Sequence, residues 1–307
     1  MKTVVWLAFF EALILAGILW LNPVWSKIGV VVPPDTGGIG ETAFTPPPVP
    51  KGIPKAKTAA DLMLNYSQYA NSPSQQLQNN QATFLDAVEL RVLELTNAER
   101  RKKRLKPLQP EDSLQTAARA HSLDMLVRQF FDHANPNGQT PHDRIAIVHR
   151  RLIGTTGENI WMQEGWDFSQ VDELAKQAVE GWMNSPGHRE NILRKEYTHL
   201  GVGGVGKAGK VWLTQNFASI QAFLKQPLNL ELKSGDRLDL ATRRVSRRRS
   251  PVKYAFWLPE KGILAADPLP TSDNQVKNIK PGEYRLRFYF PERGRYLIYP
   301  GPQVVVK

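Results

Sequence analysis

The apolar residues between positions 83 and 190 recur every three or four residues, which is the spacing of one buried face of an α-helix. Repeats of this kind begin at Leu85, Leu114 and Val171. A shorter helix is expected after Thr140, because threonine caps helices and the proline at position 141 suits the first turn. The pattern therefore predicts four helices, and a fifth that begins at Ser185.

Alternating and glycine-rich segments separate and follow these helices. One lies around Glu158–Trp161, and two more, HLGVGGV and VWLTQNFA, are joined by the turn GKAGK and predict a β-hairpin. Helices that pack on an antiparallel sheet make an α+β domain, which we place at residues 83–220. Beyond it, short alternating segments separated by Pro-Gly and Glu-Arg-Gly turns predict a small all-β, sandwich-like domain over residues 221–307.

Three polar features of the predicted helices have ordinary structural explanations. His121 lies on the apolar face of the helix that starts near Leu114, so we expect a histidine of the core. His149 follows the short helix, and we expect it at an exposed helix end. Most of the charged run Glu99–Lys106 is expected to be a solvated helix end.

The N-terminal residues are apolar over a length that can cross a membrane. Val4–Leu21 contains one charged residue, Glu11, and eighteen residues of helix are roughly 27 Å long, close to the thickness of a bilayer core. No small-residue cleavage motif follows, so we predict a retained anchor at residues 1–25; a cleaved signal peptide is the alternative. Because Lys2 stays in the cytoplasm, the anchor makes this a single-pass protein of the cell membrane with its folded domains outside.

A linker is expected between the anchor and the folded domains, at residues 26–82. Val32–Thr58 contains seven prolines and four glycines. A piece rich in Asn, Gln and Ser follows, with a short helix expected around Leu62 and Leu64. This composition disfavours packed structure.

Composition excludes some chemistry and adds one candidate surface. The 307 residues include no cysteine, so disulfides, thiolate nucleophiles and cysteine-based zinc sites are excluded. The net charge of +11 is uneven, because residues 225–307 hold 17 Lys and Arg against 8 Asp and Glu. The densest run contains Arg243, Arg244, Arg247, Arg248 and Arg249.

This arginine run has two interpretations. It is either a solvated loop or a docking site for anionic lipid or an acidic envelope polymer, since phosphate-rich surfaces attract such a cluster. Nucleic acid is not expected as a partner, because the predicted anchor places the run outside the cell.

Seven segments of the α+β region occur in an order that can be compared with known families. They are LTNAERRKKRLKPL, AARAHSLDM, FFDHANPNGQTPHDRI, GENI, GWMNSPGHRENIL, HLGVGGV and VWLTQNFA. This order resembles the bacterial branch, the SCP-like extracellular proteins, of the CAP superfamily of cysteine-rich secretory proteins, antigen 5 and pathogenesis-related 1 proteins. The resemblance covers about Leu85–Ala218. It implies an α-β-α sandwich outside the cytoplasm, with an open cavity lined by two histidines and acidic groups.

Carried over by motif, the cavity histidines match His133 and His188, and the cavity glutamate matches Glu158. Eukaryotic relatives have a second glutamate where this chain has Ser185, so the acidic set is incomplete. Two neutral imidazoles and a carboxylate suit Zn²⁺ or another divalent metal, with a fourth position left for water. His188 is expected to be neutral, because the positive end of the helix dipole disfavours its protonation.

Two functions stay open for this site. One is the binding of a divalent metal or a small ligand, such as a lipid, peptide or glycan, at the cell envelope. The other is metal- or histidine-dependent, protease-like hydrolysis, with His133, Glu158 and His188 as candidate catalytic groups. Neither an HExxH nor a GxSxG motif is present. The incomplete acidic set and the lack of a nucleophile favour binding.

Overall fold

The structure, a computed structural model, describes residues 30–31, 59–245 and 250–307. The helices are α1 (Ala59–Asn71), α2 (Ser74–Asn80), α3 (Asp86–Lys102), α4 (Asp112–Arg128), α5 (Pro141–Val148), α6 (Val171–Asn184) and α7 (Pro186–Leu193). The strands are β1 (Val30–Val31), β2 (Thr83–Phe84), β3 (Gln109–Pro110), β4 (Leu152–Gln163), β5 (His199–Lys207), β6 (Lys210–Leu224), β7 (Glu231–Leu232), β8 (Thr242–Arg244), β9 (Lys253–Leu258), β10 (Ile263–Leu264), β11 (Leu269–Pro270), β12 (Gly282–Glu292) and β13 (Arg295–Val306).

The first half of the described chain is built on a six-stranded sheet in the order β2-β5-β6-β4, with β3 beside β5 and β8 beside β6. Helices cover both of its faces. Phe217 of β6 packs with α3, α6 and α7, whereas its neighbour Ala218 packs with α1, α4 and α5. Successive residues of a strand point to opposite faces, so the long strands separate two helical layers. The α+β class and the five helices predicted for this region are confirmed.

The hairpin predicted from GKAGK joins β5 and β6, where Lys207 pairs with Lys210. Ala208 and Gly209 form its two-residue loop, and both have positive φ angles, 48° and 75°. Two-residue hairpins favour such turns, because their twist matches that of the strands. This register places Gly201 of β5 opposite Asn216 of β6.

Glycines of β5 allow α4 to approach the sheet closely. A Cβ on Gly201 would lie 2.1 Å from the backbone nitrogen of Gln115, and one on Gly203 would lie 2.1 Å from that of Arg119. No real side chain fits at such distances. The glycines therefore fix how deeply α4, which carries His121, sits on the sheet.

The linker expected up to residue 82 differs from the structure in its last part. Met63, Tyr66 and Ala70 form a buried stripe on α1, in the same core cluster as Ala117 of α4 and Ile145 of α5. Helical spacing of three apolar residues was enough to bury one face of α1, despite the many Asn, Gln and Ser residues around it.

The predicted anchor at residues 1–25 lies outside the described residues. In the part of the chain that the structure describes, no helix combines the length and the apolar character needed to cross a bilayer.

The C-terminal region forms a seven-stranded sheet in the order β1-β13-β12-β9-β10, with β11 beside β9 and β7 beside β13. It is not the two-sheet sandwich that the sequence predicts, because residues 250–307 contribute their strands to this one sheet. Non-strand residues close its core instead, including Leu228, Leu238, Leu240, Val276 and Ile279. Ile153 of β4 and Leu224 of β6 belong to the same core cluster. The two sheets therefore share a hydrophobic core.

Two polar residues expected at the surface are buried. His149 is 3% exposed, stacks on the Phe223 ring and lies 3.2 Å from a carboxylate oxygen of Glu111. Arg100, within the run expected to be solvated, is 1% exposed, and its guanidinium donates to the carbonyl oxygens of Lys106, Ile192 and Arg194. Five guanidinium N–H groups can satisfy several carbonyls at once, which makes burial of this charge possible.

Candidate functional site

The three residues expected to form the site come from a loop, a strand and a helix. His133 lies in the loop between α4 and α5, Glu158 in the middle of β4, and His188 in the first turn of α7. His133 Nδ1 lies 2.9 Å from Glu158 Oε1. The ring centroids of His133 and His188 are 6.4 Å apart, and the two rings are tilted by 44°. The structure therefore brings all three residues together.

Glu158 is a buried carboxylate with both oxygens engaged. Arg144 of α5 donates to Oε2 at 2.7 Å, while His133 lies against Oε1. Burial by itself would raise the pKa of Glu158, but the positive charge of Arg144 and the hydrogen bond from His133 outweigh it and lower the pKa to about 2. Glu158 is therefore an anion at neutral pH.

His121 lies beneath this pair. Its Nε2 is 3.8 Å from Glu158 Oε1 and 3.0 Å from the carbonyl oxygen of Asp132. Burial and the charge of Arg144 lower the pKa of His121 to about 3, so the ring is neutral and Nε2 carries the proton that it donates to Asp132. The core histidine expected from the sequence thus borders the site.

The loop that carries His133 is held from α5. Arg144 Nη1 donates to the carbonyl oxygens of His133 and Gln139, at 2.6 and 2.7 Å. The Asn135 side chain accepts the backbone N–H of Gln139 and so closes the same loop. One buried guanidinium therefore fixes both the loop and the carboxylate that His133 contacts.

His188 is held by its helix and by β4. Ser185 does not cap α7 with its side chain; its hydroxyl lies 2.9 Å from His188 Nδ1 instead. The Asn159 side chain donates to the carbonyl oxygen of His188, and Asn191 donates to that of Glu158. Burial, together with the nearby His133, lowers the pKa of His188. Serine thus keeps a hydrogen bond at the position of the missing second acid, but supplies no charge.

Asn216 of β6, opposite Glu158 in the sheet, completes the polar floor. In the amide orientation that satisfies both of its groups, it donates to Glu158 Oε2 at 3.2 Å and accepts the N–H of Ala118 at 3.1 Å.

Sequence reasoning did not select Arg144 for the site. Its signal is an arginine in the short helix PHDRIAIV, between the acid that completes the helix cap and the apolar run IAIV. A charged residue on such a helix is buried only when its charge is paired, so the segment implied an acidic partner without indicating which one.

The acid of the predicted three-ligand set already has protein partners in the structure. Among the described residues, no group of three or more His, Asp or Glu side chains is arranged to hold a metal ion. The physical reason is that Arg144 and His133 already occupy the carboxylate of Glu158. Nδ1 of each cavity histidine has a protein partner, which leaves the Nε2 atoms for a ligand.

The fold and the paired histidines define a CAP-type domain, and residues 93–217 match the family "CAP: Cysteine-rich secretory protein family". The match covers less than half of the chain, so it characterises this domain.

The chain is similar to two Bacillus subtilis proteins. It is 37% identical to "Uncharacterized protein YkwD" over 171 residues, which are 53% of this chain and 61% of YkwD. It is also 37% identical to "Uncharacterized membrane protein YlbC" over 129 residues, 42% of this chain and 34% of YlbC. The chain thus spans less than two thirds of either relative.

A crystal structure of an extracellular Bacillus anthracis protein that contains an SCP domain is also similar. It is 33% identical, with a TM-score of 0.36, over 43% of this chain and 40% of that chain.

Proposed function

We propose that this chain is an extracytoplasmic, membrane-anchored CAP-domain protein whose histidine site binds a divalent metal, Zn²⁺ being the best match, or a small ligand at the cell envelope. His133 and His188 would hold the metal through Nε2. Glu158, expected as a third ligand, would support His133 from behind. Bound Zn²⁺ would supply a Lewis acid with open positions for water or a ligand.

The contact between His133 Nδ1 and Glu158 Oε1 carries this proposal. A carboxylate accepts the Nδ1 proton, which directs the Nε2 lone pair outward, as in many carboxylate–histidine–metal arrangements. The side chain of His133 is 34% exposed, whereas Glu158 is buried, so the ring is the member that a solute can reach.

The proposed location has separate support. The apolar run Val4–Leu21 fits a membrane anchor. One relative is named a membrane protein, and another is described as extracellular. The full-length protein should stay in the membrane fraction after salt and carbonate washing. A soluble form that begins near Lys27 would show that the signal is cleaved.

The alternative, protease-like hydrolysis, has one observation in its favour, the Ser185 hydroxyl beside His188 Nδ1. A nucleophilic serine needs a base that a third group orients. Among the described residues no acid contacts the His188 ring, and Glu158 is held as a paired anion by Arg144 rather than poised to exchange a proton. The geometry therefore supports binding better than catalysis.

Calorimetric titration of the full-length protein in detergent with Zn²⁺ tests the metal site. We expect one ion to bind, binding to be lost in His133→Ala and His188→Ala, and affinity to fall about 10- to 100-fold in Glu158→Gln if that residue supports His133. His199→Gln is the control, because this half-buried histidine contacts Thr198 instead. Equal binding by all variants would contradict the proposal.

The same variants separate binding from hydrolysis. Peptide and glycan libraries are incubated with the protein, with and without Zn²⁺. Retention without turnover supports the binding function. Cleavage that disappears in His188→Ala or Ser185→Ala would support the alternative instead.

A further inference from the structure

The C-terminal sheet holds the helix next to the site at both of its ends. At the start of α5, Asp143 forms an ion pair with Arg285 of β12, and the two side chains are only 22% and 11% exposed. Just beyond the end of α5, Arg150 donates to the carbonyl oxygens of Gln303 in β13 and of Leu228, at 2.6 and 2.9 Å. The position of α5 therefore depends on residues outside the CAP domain.

The Asp143 carboxylate connects the sheet to the loop of His133. Its Oδ1 contacts Arg285, while its Oδ2 accepts the backbone N–H of Thr140 at 2.9 Å and completes the cap of α5. Thr140 follows Gln139, whose carbonyl oxygen accepts a hydrogen bond from Arg144. The Asp143 side chain thus contacts both Arg285 of the sheet and the end of the loop.

The next residue, Arg144, makes the contacts of the site. Its guanidinium reaches Glu158 Oε2 and the carbonyl oxygen of His133, at 2.7 and 2.6 Å. Adjacent residues of one short helix therefore bind the C-terminal sheet on one side and the site on the other. A helix of eight residues is too short to be stable alone, so its placement is set by such tertiary contacts.

We propose that Arg285 is a positioning residue of the histidine site, which it acts on through Asp143, α5 and Arg144, so that the C-terminal sheet is a structural part of the site. The inference deepens the proposed function and rests on it for the metal-binding readout. It also makes a claim about His133 itself that can be measured without metal.

The first readout is the Nδ1–H proton of His133 in metal-free, full-length protein labelled with ¹⁵N-histidine. In the wild type its hydrogen bond to Glu158 should slow exchange with water and shift the resonance downfield. Arg285→Gln should speed the exchange about tenfold or more, the scale on which supporting partners act at such sites. Arg285→Lys keeps a cation for Asp143 and should restore most of the protection. Arg295→Gln, an exposed arginine of the same sheet, is the control.

The second readout is Zn²⁺ affinity, which should fall about tenfold in Arg285→Gln and recover in Arg285→Lys. Asp143→Asn should produce a similar loss, and the double variant should be no worse than either single one, because both changes break the same connection.

An unchanged His133 signal in a folded Arg285→Gln protein would overturn the inference, and so would additive losses in the double variant. If the wild type binds no Zn²⁺, the metal proposal fails, but the Nδ1–H measurement still decides whether Arg285 positions His133.

Discussion

The buried carboxylate of Glu158 contacts His133 of the site and also contributes to the stability of the fold. The side chain is almost fully buried, and its charge is tolerated because Arg144, His133 and Asn216 supply donors on both oxygens. Removing one partner of a buried ion pair leaves the other charge without compensation, which costs far more than breaking a pair at the surface.

Glu158→Gln should therefore lower the free energy of unfolding by about 3 to 5 kcal/mol, measured by urea denaturation at pH 7. The matched control is Glu164→Gln, whose pair with Lys210 is about half exposed and whose loss should cost under about 1 kcal/mol. Because the pKa of Glu158 is lowered to about 2, the wild-type advantage should be complete above pH 4.5 and disappear as pH falls toward 2. Equal destabilisation by the two variants would contradict this account of the pair.

His121 predicts a second pH effect, at higher pH. Its pKa is about 3 in the folded chain, against about 6.5 when unfolded, so the unfolded state binds one more proton between these values. Stability should fall as pH decreases through this window, and His121 should contribute a slope of up to about 1.4 kcal/mol per pH unit. His121→Gln, which keeps an N–H for Asp132, should remove that share of the slope. An unchanged slope between pH 6 and 4 would show that folding does not lower the pKa of His121.

At the scale of elements, β5 fixes the position of α4 through glycine. A methyl group on Gly203 would overlap the backbone of Arg119, so Gly203→Ala should force α4 away from the sheet and lower stability by about 2 kcal/mol or more. Zn²⁺ binding should weaken as well, because α4 carries His121 beneath Glu158.

Gly187→Ala is the matched control for this prediction. Gly187 lies in α7 beside His188 and has open space around it, so alanine should be neutral or stabilise the protein by up to about 1 kcal/mol. Thermal and urea denaturation of both variants measure the difference. A Gly203→Ala protein as stable as wild type would mean that the helix and sheet are not in the close contact described.

The elements that could be predicted from sequence are those with a local signal. α3, α4 and α6 repeat apolar residues at helical spacing, and α5 begins with its own cap. The turn between β5 and β6 is indicated by Gly209, which adopts a positive φ angle there. α1 was expected only as a short helix within a linker, because its three buried apolar residues are diluted by amides and serines. Packing against α4 and α5 makes the longer helix stable. His133 and His188 were joined by family resemblance, since residues 55 positions apart carry no spacing signature. Arg144 required the folded structure, which alone identifies Glu158 as its partner.

At the scale of the whole molecule, the two sheets do not behave as separate modules. Ile153 and Leu224 extend the core of the seven-stranded sheet, and β8, from the basic region, pairs with β6 of the other sheet. Alternation along a strand predicts that one face is buried but does not indicate which partner covers it. The alternating pattern therefore predicted a second, facing sheet. In the structure, loops and residues of the six-stranded sheet cover the buried face instead.

The shared core determines how surface docking must be tested. Arg243 and Arg244 are exposed on β8, and Arg247, Arg248 and Arg249 lie outside the described residues. Because β8 is bonded to β6, a fragment of residues 221–307 would lose part of its fold. The suitable protein is residues 26–307, which keeps both sheets, including β1, and removes the predicted anchor.

Neutralising all five arginines to glutamine should reduce co-sedimentation with vesicles rich in anionic lipid, by about 1 kcal/mol for each charge at low salt. Binding of the parent protein should weaken steeply as salt shortens the Debye length to about 8 Å. Arg243 lies 5.0 Å from the Phe223 ring, so its loss should cost up to about 1 kcal/mol of stability and leave the fold intact.

The control neutralises Lys261, Lys277, Lys280, Arg293 and Arg295, which are exposed on the same domain and give the same net charge. If both variants lose vesicle binding equally, the overall charge of the protein causes the attraction. If the first variant still binds the vesicles, the arginine run is a solvated loop.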